Sequence, residues 1–246
     1  MLSLQYGMVA ALSTMIGGAL VIFARNWSVA NRDYVLAFSA GVLVSLSFLK
    51  IIPGVFPHST WGPLALLVGF FMMYLFEQLG VHNHVHTEEV EHHDLHGLTW
   101  VAWGGLLAHS FIDGLAIGSS AIVQDTGLLQ SVTFGVVLHQ FPEGLVAAAL
   151  MVAQGFSALR TLALTAIVAF ATPVGAVLTA FFLGLVSPDI LKEISTVVMA
   201  LAAGTFIYLG AADMLHHSHA QRNKKGVIAF SAGLIMFVMI DLIALH

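Results

Sequence analysis

Residues 98–153 read LTWVAWGGLLAHSFIDGLAIGSSAIVQDTGLLQSVTFGVVLHQFPEGLVAAALMVA. Two apolar runs, 98–123 and 128–153, are separated by a few polar residues. Each is longer than the ~20 residues a helix needs to cross ~30 Å of hydrocarbon. The charged residues in the whole stretch are Asp113, Asp125 and Glu143. Two of these, Asp113 and Glu143, fall inside the runs, where an ionisable side chain is expensive and marks an ion pathway more often than a structural contact.

The rest of the chain divides in the same way at charged, Pro, Asn or His-rich points, giving further runs at about 4–24, 34–52, 61–80, 160–186, 194–215 and 226–245. Of the 246 residues 59% are hydrophobic and 9% charged, against roughly 25% charged in a soluble domain. A soluble fold so composed would lack a wet surface. The expectation is an all-α polytopic membrane protein, eight transmembrane helices in a bundle, forming a single domain over residues 1–246. The first run has no basic stretch before it, and Arg25 follows it, so it reads as a retained span rather than a cleaved signal.

The chain has no cysteine, which excludes disulfides and thiolate ligands, so any metal must be held by nitrogen and oxygen. The few scattered basic residues exclude a nucleic-acid partner. Arg25, Arg32, Arg160, Arg222, Lys224 and Lys225 fall in odd-numbered loops, with Lys50 and Lys192 on the other side. The positive-inside rule then predicts both termini outside the cytoplasm, and the expected setting is the plasma (inner) membrane. The polar segment at about 81–96 becomes a cytoplasmic loop. It contains six of the thirteen histidines, His82, His84, His86, His92, His93 and His96, interleaved with four carboxylates. Flexible His-rich tracts bind transition metals loosely, which suits an accessory capture loop.

The two central runs hold two copies of one pattern. HSFIDGLAIG at 109–118 and HQFPEGLVAA at 139–148 repeat His, Phe, Gly and Leu at a separation of 30, and Asp113 is matched by Glu143. A helix turns about 100° per residue, so a histidine and an acid four apart share one face. Packed with these faces together, His109, Asp113, His139 and Glu143 would converge as a four-ligand nitrogen and oxygen site suited to zinc. Two carboxylates balance one dication, and without it they would take up protons, so metal binding should release protons. A single histidine or acid would read as a hydrogen-bonded packing residue. Two repeated pairs in hydrocarbon do not. Gln140 is a weaker ligand candidate. Pro142 removes the helical partner of the Leu138 carbonyl, leaving that oxygen to line a pathway or to be filled by a neighbouring side chain.

HSFIDGLAIG, HQFPEGLVAAAL, the eight runs and the His-rich loop after the third together resemble the ZIP (Zrt/Irt-like) family of metal transporters. The resemblance implies uptake of zinc, or of iron, manganese or cadmium, into the cytoplasm, with His109, Asp113, His139 and Glu143 as transport-site residues. It implies Zn2+ as substrate with no organic cofactor, the lipid bilayer as surroundings, a homodimer as one assembly, and no enzymatic role. Many members carry an amide or acid after these histidines and an acid early in the sixth span, making a second metal position. Here those places hold Ser110, Gln140 and the acid-free FATPVG of 170–175.

Two other functions use similar residues. A cation-diffusion-type efflux carrier also pairs His and Asp four apart, but has six spans and a folded cytoplasmic tail. A membrane-embedded zinc hydrolase would need an open metal position and a general base, and no further acid adjoins the four ligands.

Overall fold

The structure is a computed structural model, and it describes residues 2–81, 92–122, 126–183, 185, 187–214 and 224–244. The described residues are helical almost throughout, as the apolar runs imply. The long helices are α1 (Leu2–Phe23), α2 (Arg25–Leu46), α3 (Gly62–Val81), α4 (His92–Ile122), α5 (Thr126–Ala153), α6 (Ala158–Leu183), α7 (Pro188–Ile207) and α8 (Lys224–Ala244). Six helical stretches among the described residues are long and apolar enough to cross a membrane, lying in α1, in α2 with its continuation, and in α4, α5, α6 and α7. Residues Gly62–Gln78 of α3 form a shorter apolar helix.

Helix starts differ from the hydropathy limits. The second run was expected from about 34, yet α2 begins at Arg25, directly after Ala24 breaks the helix with φ −132° and ψ 49°. Likewise α4 begins at His92, six residues before its apolar run. Hydropathy marks where a helix meets hydrocarbon, whereas backbone hydrogen bonding carries the helix on through polar turns. In α2 those turns add local bonds, with Ser28 Oγ donating to the Arg25 carbonyl at 2.9 Å and Asn31 Nδ2 to that of Trp27 at 2.9 Å. The turn after α5 is set by Gly155 at φ 76°. Gly155 donates to Val152 and Phe156 to Met151, the two bonds of a glycine C-cap that satisfies the last carbonyls.

Large apolar side chains cover the outside, among them Leu12, Leu67, Phe71, Phe181, Ile228 and Ile235, while the interior holds many small and hydroxyl residues. That is the distribution of a helical protein surrounded by lipid, where close backbone packing replaces the hydrophobic effect between helices. Four crossings follow one rule. At α1–α5 a Cβ on Gly17 would strike the Phe141 carbonyl and one on Gly144 the Thr14 carbonyl. At α4–α6 the pairs are Gly114 with Thr172 and Gly175 with Phe111. At α2–α8 they are Gly41 with Phe230 and Gly233 with Phe38, and at α3–α7 Gly69 with Leu201 and Gly204 with Leu66. Every carbonyl lies three residues before the partner glycine. Only glycine lets two backbones approach so closely.

These crossings interchange when α1 is exchanged with α6, α2 with α7, α3 with α8 and α4 with α5. The same exchange relates the α2–α5 and α4–α7 contacts. It also relates two π-helical turns, Ser47–Ile51 after α2 and Tyr208–Met214 after α7. The molecule is built from two related halves, and the paired motifs of α4 and α5 lie where the halves meet.

Candidate metal centre

His109 and Asp113 stand one turn apart on α4, and His139 and Glu143 one turn apart on α5. All four are buried, and each offers a ligand atom within 4.8 Å of the others. Zinc bonds of ~2 Å in a tetrahedron put ligand atoms about 3.3 Å apart, so a small contraction would complete the shell. His139 is already oriented. Its Nδ1 lies 3.0 Å from the Gly135 carbonyl, which can only accept, so Nδ1 carries the proton and Nε2 faces Asp113 Oδ2 at 2.8 Å. A ring nitrogen and a carboxylate oxygen at that distance share a proton, in the position a cation would take. His109 Nε2 is 3.5 Å from the same oxygen.

Asp113 Oδ1 and Glu143 Oε2 are fully buried and have no hydrogen-bond partner among the described residues. Buried polar atoms are nearly always satisfied, and carboxylate oxygens the more strictly. Two half-satisfied carboxylates clustered with two imidazoles are what a cation would satisfy. On the α7 side the ring of Phe206 closes the site, with centroids 6.1 Å from His109 and 5.3 Å from His139.

Neutral residues bind the other carboxylate oxygens. Ser110 Oγ donates to Glu143 Oε1 at 2.8 Å, and Gln140 Nε2 donates to Asp113 Oδ2 at 3.2 Å and to Thr172 Oγ1 at 2.7 Å. Thr172 Oγ1 in turn donates to the Ser110 carbonyl at 3.0 Å, and Thr14 Oγ1 donates to Gln140 Oε1. Gln140 therefore sits beside the cluster rather than aiming its oxygen into it. Thr14 and Phe206 were not singled out from the sequence. A usable signal existed for the threonines, because TMIG at 14–17 and TPVG at 172–175 place Thr three before a crossing glycine in both helices.

Pro142 leaves α5 helical, and the Leu138 carbonyl accepts from Ser39 Oγ at 3.3 Å. Of the two expectations for that oxygen, filling by a neighbouring side chain is the one observed. His82, His84 and His86 of the accessory loop lie outside the described residues, as do the side chains of His92, His93 and His96.

Comparison with known proteins agrees with this picture. The family model described as ZIP Zinc transporter matches residues 80–241, well over half of the chain. Zinc transporter ZIP9 of Micropogonias undulatus is 30% identical over 172 residues, 66% of this chain and 55% of the relative. Zinc transporter ZIP9-B of Xenopus laevis is 28% identical over 167 residues, 64% of this chain and 55% of the relative. Zinc transporter zipt-7.2 of Caenorhabditis elegans is 27% identical over 139 residues, 54% of this chain and 29% of the relative. The chain thus spans about half the length, or less, of these curated relatives. With the matched region containing α4 to α7 and both His-containing motifs, the chain belongs to the ZIP zinc transporter family.

Proposed function

We propose that this protein carries zinc across a bilayer into the cytoplasm, one ion at a time, through a site formed by His109, Asp113, His139 and Glu143. The observation that carries the reading is the buried cluster of two imidazoles and two carboxylates, each offering a ligand atom within 4.8 Å of the others, in which Asp113 Oδ1 and Glu143 Oε2 have no hydrogen-bond partner among the described residues. Two carboxylates neutralise one dication, which makes its transfer into low dielectric tolerable. A second dication would meet only Ser110, Gln140 and Thr172, none of them anionic. The nitrogen and oxygen set suits zinc, and iron, manganese and cadmium are the competing substrates. Metal arrival displaces the proton shared by His139 and Asp113, so binding releases protons.

In this reading the chain forms one domain of eight spans, with both termini outside and the segment at 81–96 in the cytoplasm. The histidines His82, His84, His86, His92, His93 and His96 then capture metal beside the exit without forming the transport site. The family match and the apolar helices support the membrane setting. The direction rests on the distribution of Arg and Lys.

The test is flux of zinc, iron, manganese and cadmium into proteoliposomes of the purified chain. Zinc flux above empty liposomes is expected, together with zinc counted at one ion per chain. Two fully occupied anomalous-scattering peaks about 4 Å apart, the spacing of two-metal sites, would overturn the single-ion reading. Replacing all six loop histidines with Ala should leave substantial flux. Accessibility tags within residues 86–92 and at the C-terminus should report opposite sides, and the same side for both would remove the eight-span arrangement.

A further inference from the structure

The residue directly after each histidine has a task that a ligand list conceals. Ser110 follows His109 on α4, and its hydroxyl holds Glu143 of α5 at 2.8 Å. Gln140 follows His139 on α5, and its amide holds Asp113 of α4 at 3.2 Å. The braces are reciprocal, each helix holding the acid of the other. In both acids one oxygen is bound and the second, Asp113 Oδ1 or Glu143 Oε2, has no hydrogen-bond partner among the described residues.

The orientation of Gln140 follows from hydrogen-bond polarity. The Ser110 carbonyl can only accept, so the single hydroxyl proton of Thr172 is committed to it. Toward Gln140, 2.7 Å away, Thr172 can then only accept, and the group facing it must be the amide nitrogen. Both amide hydrogens are thereby used, one on Thr172 and one on Asp113 Oδ2. The amide oxygen is left facing Thr14, whose hydroxyl donates to it. Turning the amide over would set its oxygen against Asp113 Oδ2 and the Thr172 lone pair, two acceptor-to-acceptor contacts in a buried site. Gln140, Thr14 and Thr172 are all fully buried, out of reach of bulk water.

We propose that Gln140 and Ser110 are reciprocal positioning residues, each holding one oxygen of the opposite helix's acid so that its carboxylate is fixed in orientation beside the two imidazoles, with Thr172 and Thr14 fixing the amide of Gln140. The inference rests on the reading of the four-residue cluster as a cation site. Gln140 is not a ligand in this arrangement. Its amide also fills with a neutral donor the space beside Asp113 that a second cation would need.

The experiment uses the full chain, with Co2+ as a spectroscopic probe in detergent and zinc flux in proteoliposomes. Gln140→Leu and Ser110→Ala should each raise the apparent KM for zinc about tenfold, the worth of a hydrogen bond to a charged group, and change maximal flux less than about twofold. The visible Co2+ bands should keep their position and intensity, because no ligand is lost. Thr172→Val should reproduce the Gln140→Leu defect although the Thr172 hydroxyl is bonded to Gln140 and the Ser110 carbonyl rather than to an acid, whereas Thr172→Ser and Ser110→Thr, which keep the hydroxyl, should restore KM to near the wild-type value. A Co2+ spectrum altered in Gln140→Leu would show Gln140 to be a ligand and overturn the proposal. An unchanged KM in folded Thr172→Val would also overturn it, by removing the relay. Failure of the wild-type chain to bind Co2+ or zinc at all would instead bring down the cation reading on which the proposal depends.

Discussion

The crossings α1–α5 and α4–α6 share their backbone geometry with α2–α8 and α3–α7, and differ in what that geometry holds. In all four, a glycine on each helix lies against the carbonyl three residues before the glycine of the other. The residue just before the glycine is Ala40, Val68, Ala203 or Ala232 in the second pair of crossings. In α4 and α5 that place is taken by Asp113 and Glu143. In α1 and α6 the place three before the glycine is Thr14 or Thr172, both aimed at Gln140. Close packing is therefore the common property, and the chemistry is an exchange of side chains upon it. The glycines bring α4 onto α6 and α5 onto α1, which sets Thr172 and Thr14 beside Gln140, and a crossing with alanine at the place of the acid is a packing device alone.

The largest expected effect breaks the comparison at that one place. In the proposed transport site, Asp113→Ala or Glu143→Ala would remove a ligand and leave the remaining charges unbalanced. Loss of one partner from a buried ionic group costs about 3–5 kcal/mol, so zinc flux should fall by on the order of 100-fold or more. Ala40→Ser and Ala203→Ser, at the matching places of the other crossings, keep a small residue and should change flux by less than about threefold. Flux in proteoliposomes at matched protein density decides it. Comparable losses in both sets would mean that the acids act by packing.

A smaller effect should be shared by both sets. Gly144→Ala and Gly233→Ala each put a methyl group against a carbonyl, of Thr14 and Phe38 respectively. Overpacking of this kind costs roughly 1–3 kcal/mol, read as a lower thermal transition in detergent. The two variants should be destabilised alike, since the contact is the same. Stability lost in Gly144→Ala and retained in Gly233→Ala would show that the crossings are equivalent only in appearance.

The sequence made the helices and the four-residue cluster legible for one physical reason, that lipid penalises charge. Apolar runs announced themselves by length, and two HxxxD/E pairs inside them had no bland explanation. Where that penalty is silent, less could be read. The polar starts of α2 at Arg25 and α4 at His92 lie beyond what hydropathy registers. Thr14 and Thr172 are neutral and common in membrane helices, and their part depends on which helices cross. Phe206 is one apolar residue in an apolar helix until its ring is found against both histidines. The relation between the halves did leave a trace, since FSAG occurs at both 38–41 and 230–233, in two helices that cross each other. Such four-residue similarities are faint when the rest of each helix has diverged under the sole demand of being apolar.

The smallest effect tests where the second set of helices touches the first. Ser39 of α2 donates to the Leu138 carbonyl at 3.3 Å, and Ser13 of α1 donates to the Val137 carbonyl at 2.6 Å. The two bonds look alike, and the helix makes them different. Leu138 lacks its usual partner because residue 142 is proline, whereas Val137 keeps the amide of Phe141 as a partner four residues on. Ser39 thus satisfies an oxygen that is otherwise orphaned, while Ser13 adds a second bond to one already satisfied. Ser39→Ala should cost about 0.5–1 kcal/mol of stability, the lower part of the range because the bond is long. In a Pro142→Ala background the restored amide takes the Leu138 carbonyl, and the same Ser39→Ala substitution should cost close to nothing. Ser13→Ala should cost the same in either background. Equal costs for Ser39→Ala with and without Pro142 would mean that this hydroxyl serves packing between α2 and α5, not the gap that proline leaves beside His139.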